Sequence, residues 1–223
     1  MARPALPIQR DQVVRLALDI ADREGLEAAS FRRLADELGV TPMALYHHVR
    51  DKADLLAAMA DLLLSEVEVP PHVPPWSDEL RTLLGSFVAA RDRHSCAVAL
   101  LHHESAATSL AGLRLAEAAL DILRRAGFDA ADGVRIVQQL GALLTSHAPI
   151  GCPCAQDDRA QAQEAWAHLP ADTFPRLRES AAHAGAWNDA ERDRVFGVEL
   201  LVLGVQKLLE QPERIGVLLS SSS

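Results

Sequence analysis

The sequence predicts an all-α fold, a small N-terminal unit of three helices followed by a larger helical body, about nine to ten helices in total. Two observations carry that expectation. Apolar residues recur at the helical period of 3.6 through most of the chain, and no convincing strand alternation occurs. Glycines, prolines and capping residues interrupt this pattern at helical lengths.

The first helix is expected over Arg10–Glu24, with Val13, Val14, Leu16, Ala17, Ile20 and Ala21 as its apolar stripe and Gly25 closing it. Ser30 has N-cap chemistry for a short helix through Leu38 that buries Phe31, Leu34, Ala35 and Leu38. After a turn at Gly39-Val40, Thr41 caps a third helix, with Pro42 at the first position, where a missing N–H costs nothing. That helix reaches about Val49, and Arg50-Asp51-Lys52 restarts a fourth to about Glu66. Four prolines within Val69–Pro75 stop helical structure. Further helices are expected over 77–92, 95–103, 109–126, 130–148, 159–168, 174–184 and 189–211, with Gly127 and Asp129 marking a stop and a restart and 151–158 a loop. The expected organisation is a head (1–52), a connecting helix and Pro-rich linker (53–75), a body (76–219) and a tail (220–223).

A chain of 223 residues with 49% hydrophobic and 24% charged residues has the balance of a globular protein, not of a disordered one. The uncharged run Ile136–Gln156 has membrane length, but Gln138, Gln139, His147, Pro149 and Pro153 argue against a spanning helix. The opening MARPALPIQRDQ lacks the apolar stretch of a secretory signal, so a cytoplasmic location is expected, with no membrane partner. Three cysteines make no disulfide framework. Enzyme signatures are missing: the sequence has no G-x-S-x-G elbow, no phosphate-cradling glycine loop and no H-E-x-x-H, and no cofactor is expected.

The net charge of −9 lies wholly beyond residue 52, because residues 1–52 hold eight basic and eight acidic residues. A neutral head on an acidic body can present a local basic face to a polyanion. The second and third helices, joined by a short turn containing Gly39, have the spacing of a helix-turn-helix, whose second helix enters the major groove. Thr41, Pro42, Met43 and Ala44 at its N-terminus are small or apolar, suited to close approach and thymine methyls. Tyr46, His47 and Lys52 offer donors to phosphate, and Arg32 can reach a phosphate or a guanine edge. From spacing alone, a purely structural three-helix cap with Tyr46 half-buried is the alternative.

At this point the residues carry a family resemblance. The stretch Gly25–Val40, with R-x-L-A-x-x-L-G-V at Arg32–Val40, and L-Y-x-H-V-x-x-K-x-x-L-L at Leu45–Leu56 resemble the DNA-binding domain of TetR-family transcriptional regulators. The body resembles the tetracycline-repressor type: Trp76, Phe87, His94, Ala126-Gly127-Phe128, Phe196–Leu200 and Gly204 fall in that subfamily's order. The resemblance implies a ligand-responsive regulator, a repressor, in which a homodimer sets two heads on a palindromic double-stranded operator and a small effector binds the body.

The last helix supports a dimer, because Val195, Val198, Leu201, Val202, Val205 and Leu208 cover more circumference than one internal face needs. Val134, Val137, Leu140, Gly141 and Leu144 are expected as the second member of a four-helix interface, the alternative being a wholly buried core helix. Leu83, Phe87, Leu101, His102, His103, Gln138, Leu143, His147 and Trp166 are the candidate effector contacts. The chain departs from the tetracycline-binding pattern, since Leu83 stands where an amide is expected and the segment 65–75 offers only His72, so a largely apolar effector is expected. Cys152-Pro153-Cys154, with Cys96 or His147, raises the alternative of a metal- or thiol-responsive regulator, although four zinc ligands are not evident.

Overall fold

The structure, a computed structural model, describes residues 9–103, 109–145, 161–182 and 190–211. Its helices are α1 (Arg10–Glu24), a 3-10 turn (Leu26–Ala28), α2 (Phe31–Leu38), α3 (Pro42–Leu45), α4 (Lys52–Leu64), α5 (Trp76–Asp92), α6 (Ala97–Leu101), α7 (Leu110–Ala126) and α8 (Ala130–Thr145). They are followed by α9 (helical over 161–167), α10 (Pro175–Ala182) and α11 (Ala190–Glu210). Among the described residues there is no strand, and no helix is long and apolar enough to cross a membrane.

Capping chemistry sets the boundaries. The side chains of Ser30, Asp51 and Ser109 accept from the backbone N–H three residues on, at Arg33, Asp54 and Gly112, and Asp129 does the same for Asp132. Thr41 makes no such side-chain bond, so α3 starts on Pro42 alone. α2 and α7 end in paired return bonds, Val40 N to Ala35 O and Phe128 N to Leu123 O, with Gly39 and Gly127 at positive φ where a side chain would be strained. The third helix is shorter than the sequence predicts. Past Leu45 the chain turns, because Arg10 Nη1 donates to the carbonyl of His48 and the N–H of Arg50 to Asp54, satisfying backbone groups without further helix.

Two apolar cores result. The first joins Val13, Ala17 and Ile20 of α1, Leu34 and Ala35 of α2 and Leu45 of α3 to Leu55, Met59 and Leu63 of α4, and takes in Cys96, Ala97 and Leu100 around α6. A head cut at residue 52 would therefore lose the helix that fills it. The second core packs Leu80, Leu84 and Val88 of α5 against Ile122 and Leu123 of α7, Ile136 and Leu140 of α8, and Val198, Val202 and Val205 of α11. Phe87 and Leu115 touch both cores.

Candidate nucleic-acid interface and ligand cavity

The helix-turn-helix presents its third helix by burying only one side of it. Leu45 and Val49 are fully enclosed, while Thr41, Pro42, Tyr46 and His47 are exposed, Ala44 is half-buried and Met43 is 70% exposed. A methionine this open has no packing role, which leaves it available to base edges. Arg32 is exposed and has no ion-pair partner among the described residues, whereas its neighbour Arg33 is neutralised by Glu24 and Glu37. Lys52 stands differently from the sequence expectation. It is half-buried, its Nζ donates to the carbonyl of Ala29 at 2.6 Å, and burial pulls its pKa below the ordinary value. Its ammonium thus joins α4 to the start of α2 before it can meet a phosphate.

Ion pairs hold the head's helices in register. Arg10 on α1 grips Asp54 on α4 with two bonds, and that pairing lowers the Asp54 carboxyl to about 2. A second joint attaches head to body. His94, after α5, places Nδ1 2.6 Å from Asp22 of α1 and Nε2 3.1 Å from Glu66 beyond α4. The bond to Asp22 is the main cause raising the pKa of His94, with Glu66 adding to it against burial. Burial opposes the charge on Asp22, but the bonds from His94 and the Cys96 N–H outweigh it and keep its pKa below the ordinary value.

Behind the head, α4, α5, α7 and α8 border a partly open cavity of about 160 Å³ lined by Leu64, Val67, Leu83, Leu84, Phe87, Gly112, Leu115, Ala116, Ala119, Val137, Leu140, Gly141 and Leu144. Its described wall has no polar side chain. Of the expected effector contacts, Leu83 and Phe87 line it. Leu101 instead packs on the head's core, and His102, His103 and Gln138 are exposed. Leu143 faces a different groove and Trp166 sits half-buried on α9, away from this wall. His147 lies outside the described residues. The contributions of α4 and α7 escaped sequence reading, although the spacing of Ala111, Leu115, Ala119 and Ile122 marks an apolar face on α7.

The outer faces of α8 and α11 form an open groove of about 470 Å³ that includes Leu143, Leu200, Leu201, Gly204 and Leu208. Val134, Val195, Phe196, Leu200 and Leu203 are exposed. The residues expected for a dimer face divide between this groove and the interior. Val198, Val202 and Leu144 are buried in the protomer's own second core, Leu140 and Val205 belong to that core and also border the groove, and Val137 and Gly141 line the cavity, because α11 and α8 turn those residues towards α5 and α7. Cys152 and Cys154 lie outside the described residues. Cys96 is buried, which pushes its thiol far above the ordinary range. Among the described residues no group of three or more His, Cys, Asp or Glu is placed to hold a metal ion.

The geometry agrees with what the chain is similar to. The family described as "Bacterial regulatory proteins, tetR family" matches residues 13–59. The tetracycline repressor protein class A from transposon 1721 of Escherichia coli is 32% identical over 90% of this chain and 91% of its own. The apo structure of ActR from Streptomyces coelicolor is 28% identical and superposes with a TM-score of 0.77, covering 93% of this chain and 99% of ActR. ActR in complex with actinorhodin superposes with a TM-score of 0.74 at 28% identity, over 90% of this chain and 96% of that one.

Proposed function

Because this chain belongs to the tetR family of bacterial regulatory proteins, which are ligand-responsive DNA-binding transcription regulators, we propose that it is a homodimeric repressor released from a palindromic operator by a small, largely apolar effector. The observation that carries this reading is the double use of α4. Leu64 belongs to the buried core of the head and also lines the cavity. An occupant therefore touches the helix on which the head is built. A ligand shifts the DNA-competent population only by its differential affinity for the two arrangements, and such coupling is typically about 1–3 kcal/mol, or roughly 5–150-fold in affinity.

Arg32, Thr41, Pro42, Met43, Ala44, Tyr46 and His47 are the proposed DNA-facing set, and the α8–α11 groove with Leu200, Leu201, Gly204 and Leu208 is the proposed dimer face. The cavity wall argues for the effector's chemistry. A polar ligand would lose its hydration against the described side chains and gain no hydrogen bond from them. The volume, about 160 Å³, is close to that of an apolar cavity of about 150 Å³ known to take benzene, so a single apolar ring fits this space.

Thermal melts against a panel of apolar ring compounds test the reading. A binder at about 100 times its Kd adds about 2.7 kcal/mol of stability. The same compound is expected to loosen the wild-type protein from duplex DNA. Phe87→Ala should keep its DNA affinity and respond more weakly to the compound. Equal melting shifts in wild type and Phe87→Ala would place the compound elsewhere and count against this cavity.

A further inference from the structure

We propose that Phe31 is a positioning residue for DNA binding, acting through Tyr46. The inference rests on the regulator reading and assigns a task to a side chain that sequence periodicity treats as core. Tyr46 stands at the C-terminal cap of a four-residue helix and leads into a turn, so little helical packing fixes its ring. The residue is 49% exposed, and its hydroxyl has no hydrogen-bond partner among the described residues. Phe31 supplies the missing restraint. Its ring lies parallel to that of Tyr46, with centroids 4.7 Å apart and 7° between the planes.

Phe31 is itself well anchored. It is the first residue of α2, follows the Ser30 cap, packs against the head's core, and lies two residues after the carbonyl gripped by Lys52. The restraint thus runs from Lys52 through the start of α2 to Phe31 and on to Tyr46. One face of the tyrosine rests on a fixed aromatic surface, and the hydroxyl is held outward as a phosphate donor. A leucine at this place would fill similar space but would not fix the plane of the ring.

Tyr46 is the single tyrosine in the chain, which gives a direct probe. Protein labelled with 3-fluorotyrosine should show one fluorine resonance, displaced by the ring current of Phe31. Phe31→Leu is expected to move that resonance in the free protein, with the circular dichroism unchanged. Binding is then measured on a mixed-sequence duplex at low salt, where phosphate contacts dominate. Phe31→Leu should weaken binding about two- to tenfold with an unchanged salt slope, because the tyrosine carries no charge. Phe31→Tyr, which retains a ring, should restore binding. Phe31→Leu added to Tyr46→Leu should cost little more than Tyr46→Leu alone. An unmoved resonance, wild-type affinity in Phe31→Leu, or a full additional loss in the double variant would overturn the role. Failure of the wild-type protein to bind any duplex would instead overturn the regulator reading, and this role with it.

Discussion

At Lys52 the ammonium lies 2.6 Å from the carbonyl of Ala29, a residue with no exposed surface. Removing the donor leaves a buried acceptor unsatisfied, a loss of about 1–3 kcal/mol. Lys52→Met should therefore lower the unfolding free energy from urea titration by that amount, seen as a lower midpoint at unchanged slope, as well as weaken DNA binding, and an unchanged midpoint would show that the contact contributes nothing. His94 gives the second prediction. Its pKa is raised, so its contribution is complete below the ordinary histidine value of about 6.5 and disappears as pH rises through the higher folded value. Asp22 and Glu66 have lowered values, so their contribution disappears only as pH falls below the usual carboxylate range. The stability difference between wild type and His94→Gln should be largest near pH 5–6 and shrink above about 6.5. A difference that stays constant from pH 5 to 9 would remove His94 as a charged tie. Residue types were legible where a local rule acts, as at Ser30, Pro42 and exposed Met43. Partners distant in sequence were not. The His94–Asp22 bond spans 72 residues and the Phe31–Tyr46 stack depends on how α2 meets α3.

Among the elements, α11 illustrates both the reach and the limit of periodicity. Val198, Val202 and Val205 form one stripe, and Phe196, Leu200 and Leu203 form another with the same spacing. The excess of apolar surface was readable as two faces. Which face turns inward is decided by α5 and α8, and the sequence carries no local sign of that choice. The end of α8 shows a related device. Arg91 of α5 is buried, donates to the carbonyl of Leu144 at 2.6 Å, and pairs with Asp92. Arg91→Met would leave Asp92 unpaired beneath the surface and should cost about 3–5 kcal/mol. Arg91→Met with Asp92→Asn should recover part of that loss, since both charges are then gone. A double variant as unstable as the sum of the singles would show that the two residues act independently.

For the whole molecule, the all-helical architecture and the division into head and body were legible from helical pattern, caps and the Pro-rich linker. The sharing of α4 was not, because its Leu55, Leu56, Met59, Leu63 and Leu64 read simply as one amphipathic helix. Leu200 is exposed in the protomer, so Leu200→Lys should leave its fold unchanged. Across a two-fold interface the substitution would bring a buried charge from each copy, and sedimentation should then report a monomer with weak DNA binding. A dimer that persists in this variant would move the interface elsewhere.

If this chain reads a specific, symmetric DNA sequence, selection from a pool of random duplexes with the purified protein will reveal it at about physiological salt, where non-specific phosphate binding is weak. Enrichment of a palindrome is expected, with an altered preference in its half-sites for Met43→Ala. Recovery of duplexes with no shared sequence, the same for wild type and for Met43→Ala, would contradict it.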